Sequence, residues 1–281
     1  MARISLMEKG VSYVILCAVG ILLFAPFIYM LSIAFASDAT TVKVAFTFIP
    51  LEFTFENFTK VFTNYHLGTY LKNSVIITFW TVIGSVASAS FVSYGFARLK
   101  AKGSGIIFVI LLSTMMIPGE VTMVPQFIIY KELGWVNTFL PLIVPSFFAG
   151  AYNVFLIRQF IMAIPRSLDE AAMIDGMGHF GIYSKIILPM TFPILSAIAI
   201  FSFSYNWGNF MGPLIYINDP EKTPLALGVQ LISTASGGQM PPWNMVMVAS
   251  LFLTIPMIIV YMLGQRFVYE ANISGGSSGI K

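Results

Sequence analysis

Three groups of residues in this chain have types and spacings that suggest chemistry, and each suggests binding or charge handling rather than bond cleavage. The first is a polar stretch from Ser167 to Pro189, SLDEAAMIDGMGHFGIYSKIILP, set between two long apolar segments. Ser167 and Glu170 have the spacing of a capping box, in which the hydroxyl caps the first amides and the carboxylate reaches back. Gly176 can close the helix by taking a left-handed conformation. About two turns of helix result, acidic at the start, with small Ala171 and Ala172 in the middle. Two turns are too few to be stable alone, so packing must hold them. A short rigid helix of this kind suits docking into a partner's groove, although an ordinary amphipathic connector would carry the same caps.

The second group centres on Glu120, the one carboxylate embedded among apolar residues, directly after Ile117-Pro118-Gly119. An ionisable group at membrane depth is by default a pathway candidate. The alternative is a carboxylate at the outer end of a broken helix, hydrogen-bonded to loop amides. The third group is Tyr205-Asn206-Trp207-Gly208-Asn209-Phe210. Its rings and amides could meet sugar hydroxyls and pyranose faces. They also fit the aromatic belt at a membrane interface, which is the preferred reading. Asn153 is a further polar candidate for a pathway.

Several classes of chemistry have no residues to carry them. No G-x-x-x-x-G-K-[ST] loop is present, so ATP binding through that motif is not expected. No serine, cysteine or histidine constellation suggests a hydrolase, and no glycine fingerprint suggests a dinucleotide. Cys17 lies inside an apolar run and reads as a packing residue. His66 and His179 are too few and too far apart in sequence for a metal centre. The expectation is a chain without catalysis, metal or bound cofactor.

The elements that position these groups follow from composition. The chain has 281 residues, 57% hydrophobic and 10% charged, against about 25% charged in an ordinary soluble domain. One soluble core could not hide so much apolar surface, so lipid is the expected solvent. A net charge of +3, spread along the chain, makes no basic face for nucleic acid. Six uncharged intervals are long enough to cross a bilayer: Gly10–Ser37, Asn73–Ala97, Gly103–Gly119, Leu133–Ile157, Ile186–Asn218 and Thr223–Gln265. The last two exceed one helix, which places spans five and six at about Ile186–Trp207 and Trp243–Arg266. Lipid leaves the backbone no outside partners, and no alternating barrel pattern occurs, so the spans are helices.

Of the 15 lysines and arginines, ten fall at the termini and after the second and fourth intervals, and five in the other connections. The positive-inside tendency therefore places both termini and the Ser167–Pro189 stretch in the cytoplasm. The expected layout is a cytoplasmic N-terminus (1–10), a retained first span (11–35), an extracytoplasmic segment (36–72), a five-helix core (73–268) with its loop at 166–189, and a flexible cytoplasmic tail (269–281). In the outer segment, Phe58, Val61 and Phe62 have helical spacing and predict a short amphipathic helix. In span two, Gly84, Ser85, Ser88 and Ala89 predict a face buried against another helix. Pro118 and Gly119 should break span three. Gly212–Trp243, rich in proline and glycine, reads as a long outer loop suited to receiving a partner.

Within the polar stretch, Glu170-Ala171-Ala172, then Gly176, Ile186 and Leu188-Pro189 resemble the "EAA loop" of the membrane subunits of ATP-binding-cassette importers. Seven positions matched by chance at about 5–10% each make an accident on the order of 10⁻⁸ per start point, which decides against a mere connector. From about Asn73 onward the chain resembles the smaller permease subunit of maltose-type carbohydrate importers. Met116-Ile117-Pro118 with Glu120-Val121, Asn137-Thr138, Leu156 with Arg158-Gln159-Phe160, Ile164-Pro165, Trp207, Phe210 and Pro213-Leu214-Ile215 carry that likeness. The family often has Trp-Asn-Asp-Phe where this chain has Trp207-Gly208-Asn209-Phe210.

The resemblance implies an all-α, multi-pass protein of the bacterial or archaeal cytoplasmic membrane with the type I importer fold. It implies a second, different permease subunit, two ATPase subunits that use ATP and Mg²⁺, and an extracytoplasmic sugar-binding protein. Glu170, Ala171, Ala172, Asp175, Gly176, Ile186, Leu188 and Pro189 would couple to an ATPase; Glu120, Asn153, Tyr205, Asn206, Trp207 and Asn209 are the pathway candidates. Three other readings compete: an importer permease for a non-sugar solute, an ion-coupled carrier using Glu120, and a membrane scaffold that transports nothing.

Overall fold

A computed structural model describes residues 6–37, 52–235 and 241–276. These residues are mostly helical. An isolated antiparallel bridge joins Ala36 to Phe53. The chain divides into two compact units, one made of Met1–Gly68 and Gly228–Thr254, the other of Thr69–Leu227 and Ile255–Lys281.

In the first unit, helix α1 (Leu6–Ala34) is apolar all round. Its side chains stand open, Val14, Ile21 and Leu22 being 70–73% exposed. A helix with this much uncovered apolar surface is soluble only in lipid. The amphipathic helix expected near Phe58 forms as α2 (Glu56–Asn64), with Asn57 and Val61 buried. Asn57 Nδ2 donates to the carbonyls of Ala34 and Ala36 at 2.9 and 2.8 Å, and its Oδ1 accepts from Asn244 at 3.2 Å. Buried amides satisfied on both sides fix the chain after α1. Phe35 packs against Phe53, Phe55 and Phe58 at 5.0–5.3 Å, so these rings are packing groups. Residues 38–51 of the expected outer segment lie outside the described residues.

The larger unit is organised around α3 (Leu67–Arg98). Of its small-residue face, Gly84 and Ala89 are buried as expected and Ser85 and Ser88 are half-buried. A Cβ on Gly84 would come within 2.7 Å of the Phe147 ring. Ser88 Oγ donates to Ser146 O and accepts from the amide of Ala149, both at 3.2 Å. Such close approach with hydroxyl cross-links is how helices associate where lipid supplies no hydrophobic drive. Helix α4 (Ser104–Ser113) ends in a 3₁₀ turn, and Ile117 and Pro118 break it from α5 (Gly119–Glu132). The two parts meet at 100°, the sharp break expected of the proline.

Next come α6 (Leu140–Ile143) with a 3₁₀ turn, α7 (Ala151–Ala163), and α8 (Ser167–Ile174). Helix α9 (His179–Met190) contains a π-helical turn at Tyr183–Ile187 and meets α10 (Phe192–Trp207) at 73°. Span five is therefore not one helix from Ile186. The amides missing at Pro189 and Pro193 flank Thr191, and the chain bends there. Ile186, Leu188 and Pro189 belong to the bent-off segment. Among the described residues, four helices are long and apolar enough to cross a membrane, or up to six spans if each bent pair counts as one.

The region after α10 is not the structureless loop its prolines suggest. It folds into α11 (Met211–Tyr216), a 3₁₀ turn at Pro220–Lys222 and α12 (Leu225–Thr234). Asn137 Oδ1 accepts from the amides of Asn218 and Asp219, and Asn73 Nδ2 donates to the carbonyls of Glu221 and Thr223. These side chains replace the ladder partners that an irregular backbone lacks. Helix α13 (Trp243–Gly276) runs several residues into the glycine- and serine-rich tail expected to be flexible.

Candidate functional site

Helix α8 is short, as its sequence implies, yet it is capped differently. The helix starts one residue earlier than the capping box requires. Arg166 occupies the cap position in helical conformation, without a side-chain cap. Ser167 is thus the first helical residue and cannot cap. Pro165 sets this start: the amide of Leu168 already bonds to Pro165 O at 3.4 Å and that of Glu170 to Arg166 O at 3.1 Å.

The C-terminal end matches the expectation. Gly176 has φ +83°, and the amide of Met177 reaches back to Ala172 O at 2.9 Å, the 6→1 bond of a left-handed helix stop. A Cβ on Gly176 would meet nothing within 4 Å, so glycine is required by conformation and not by space.

Packing binds this loop to the helices that precede and follow it. Ala172, Ile182 and Ile187 belong to the same buried cluster as Ile157 and Ile161 of α7, Ile194 and Ile198 of α10, and Ala89 and Tyr94 of α3. Asp169, which the sequence offers only as part of a cap, is buried. Its Oδ2 lies 2.7 Å from Arg98 Nε, with the two side chains 10% and 4% exposed. Arg98 Nη2 also donates to Ile164 O at 2.8 Å. Tyr94 OH donates to His179 O at 3.1 Å, and Ser90 Oγ meets Tyr183 OH at 3.1 Å.

The outward side of the loop is of the opposite character. Glu170, Ala171, Asp175, Gly176 and Pro189 are exposed, and Ile186 and Leu188 are half-buried. Ile174 is 87% and Phe180 73% exposed, with Met173 and Leu168 open beside them. Apolar side chains and carboxylates thus stand open together on a helix that is fixed from behind. The sequence reading missed Met173, Ile174 and Phe180. Their signal was present: large apolar residues interspersed in a polar connection.

Two cavities gather most of the other candidates. One, of about 530 Å³, is lined by Ser85, Tyr152, Asn153, Ser202, Tyr205 and Asn206 among others. The second, of about 420 Å³, is lined by Glu120, Thr122, Gln126, Tyr205, Asn206 and Asn209 among others. Tyr205 is 74% exposed. Asn206 Nδ2 donates to Ser202 O at 2.7 Å, which holds the amide in place. Asn209 Oδ1 accepts from the amide of Gly212 at 3.1 Å and so also shapes the turn into α11. Trp207 does not join them. It is buried, stacked on Phe203 at 5.4 Å, because one helix places neighbours 205 and 207 on different faces.

Comparison with known proteins agrees with this geometry. Residues 81–271 match the family described as binding-protein-dependent transport system inner membrane component. The chain belongs to this family. Among members of this transport family, it is 30% identical over 282 residues to a trehalose/maltose transport system permease protein of Thermococcus litoralis, covering 97% of this chain and 100% of that one. It is 32% identical over 237 residues to an arabinooligosaccharides transport system permease protein of Halalkalibacterium halodurans, covering 84% of each. The fold matches, with a TM-score of 0.84, a chain in the crystal structure of a bacterial ABC transporter involved in the import of the acidic polysaccharide alginate. That match covers 95% of this chain and 99% of the other at 22% identity. The chain is thus a membrane-spanning transport subunit with the importer fold, in agreement with the expected fold class.

Proposed function

We propose that this permease forms half of the pathway of an ATP-driven importer for a sugar or oligosaccharide and couples to ATP hydrolysis through α8. The observation that carries the coupling is the two-sided loop: Ala172, Ile182 and Ile187 are buried in the bundle's core while Ile174 and Phe180 stand open. A partner that grips the open side must move the helices behind it, since packed interiors transmit strain. ATP binding that favours one global state over another then biases the bundle between two conformations. The named substrates of the related permeases, trehalose or maltose and arabinooligosaccharides, support a saccharide.

In this reading the termini and α8 face the cytoplasm, and the protein lies in a bacterial or archaeal cytoplasmic membrane. A second, different permease completes the pathway. Two ATPase subunits use ATP and Mg²⁺, the permease itself binding no cofactor, and a binding protein delivers the sugar outside. Glu170 supplies charge to a basic residue of the ATPase, Ala171 allows close approach, and Gly176 sets the turn. Tyr205, Asn206, Asn153 and Glu120 offer a ring face, amides and a carboxylate to a hydrated saccharide.

The test is reconstitution with the partner chains in vesicles. Sugar-loaded binding protein should stimulate ATP hydrolysis and uptake together. Transport by the purified single chain in an ion gradient would contradict the proposal and favour the carrier reading based on Glu120.

A further inference from the structure

Arg98 stands where three elements meet. It is the last residue of α3, so its positive charge is favoured by the carbonyls at that helix end. Its Nη2 donates to Ile164 O, in the residue that ends α7, and its Nε lies 2.7 Å from Asp169 on α8. One planar, rigid guanidinium therefore triangulates the ends of two membrane helices and the docking helix.

The two side chains are 4% and 10% exposed, at the wall of a cavity of about 590 Å³ that Glu170, Met173 and His179 also line. Taking such a pair out of water costs more than a surface pair returns, and apolar residues of the same size often serve stability as well. The site is also two bonds short, because Arg98 Nε and Asp169 Oδ1 are both buried without a hydrogen-bond partner, the 2.7 Å approach being an ion pair and not an aligned hydrogen bond. An ion pair kept under those terms is weak evidence for stability. It is better explained by a need to hold α8 at a fixed place: the Nη2 bond to Ile164 O orients the guanidinium, and the low-dielectric ion pair draws Asp169 to it more strongly than dispersion contacts would.

We infer that Arg98 and Asp169 are positioning residues that lock α8 to the ends of α3 and α7, so that a displacement of the docking helix reaches the membrane helices without slip. This rests on the coupling role proposed above for α8. The apolar cluster around Ala172 keeps the loop attached; the ion pair keeps it in register.

Two measurements on the assembled complex test this, using Asp169→Asn and Arg98→Lys. Arg98→Lys keeps the charge but cannot hold both partners at once, and it carries the same measurements if Asp169→Asn does not assemble. Amide hydrogen exchange across α8 should speed up at least about tenfold in the variants as the helix gains local opening. The ATP hydrolysed per solute imported should rise roughly threefold or more, a readout that a merely structural pair would not move. Unchanged exchange in α8 would overturn the lock, whatever the complex transports. Faster exchange at unchanged ATP per solute would make the pair a local fastening and overturn its part in coupling. Failure of the importer reading shows separately, as a wild-type complex whose ATPase ignores the loaded binding protein.

Discussion

Two regions of the larger unit use the same kinds of residue on opposite terms. Around α8, the side chains of Ile157, Ile161, Ile182, Ile187 and Ile198 are at most 1% exposed, and the charged side chains of Arg98 and Asp169 are only 4% and 10% exposed. Around the cavities of α5 and α10, polar side chains line open space, and Tyr205 stands 74% exposed. The first region is closely packed. The second is open, with hydroxyls, amides and the Glu120 carboxylate lining its cavities. A transporter needs both, because a stiff lever without a permissive pathway moves nothing and an open pathway without a lever leaks.

The sharpest way to break this contrast is to truncate the packed side. Ile161→Ala removes a 1% exposed side chain from the cluster behind α8 and should destabilise the protein by about 2–5 kcal/mol. Thermal unfolding of the purified complex reads it, and a change under about 1 kcal/mol would mean the cluster is not rigid. Gly84→Val tests the packing between α3 and the turn after α6. Its new side chain meets the Phe147 ring, and overpacking should cost about 1–3 kcal/mol, seen as a lowered midpoint and lost assembly.

The open side should respond the other way round. Tyr205→Ala should leave stability within about 0.5 kcal/mol of wild type while uptake of the sugar falls severalfold. A protein that unfolds easily after this change would show Tyr205 to be a packing residue after all.

The smallest expected effect sharpens the contrast at an exposed cap. The Asp219 carboxyl is held below the ordinary carboxylate range, first by the amide of Glu221 and then by Lys222. A lowered pKa in the folded state stabilises above the unfolded value and is lost as pH falls through the folded one. Exchange of the amides at Pro220–Lys222 should therefore differ between wild type and Asp219→Asn at neutral pH, and converge in acid. A difference that persists in acid would assign the effect to shape.

The features that could be read from sequence were those with local causes. Gly176 stops α8 because only glycine takes φ +83° without strain, and Pro118 breaks the third span because it lacks a donor. Composition and the length of the apolar intervals likewise gave the spanning helices, since lipid admits few alternatives. Features with distant causes were not legible. Asp169 meets Arg98 from a different helix, and nothing in the sequence near either residue announces the other. Ser167 lost its cap because Pro165 and Arg166 begin the helix earlier, a shift of one residue that no pattern resolves. Trp207 looked like its polar neighbours, yet its position on α10 turns it to Phe203. Thr191 looked like the interior of a span until the flanking prolines bent it.

The central claim is that α8 passes the work of ATP to the bundle. Gly176→Pro tests it most directly, because proline cannot adopt φ +83° and removes the amide that bonds to Met173 O at 3.0 Å. In the reconstituted complex, ATP hydrolysis stimulated by the sugar-loaded binding protein should collapse together with uptake. Stimulation and uptake at wild-type levels would show α8 to be only a connector and would contradict the account.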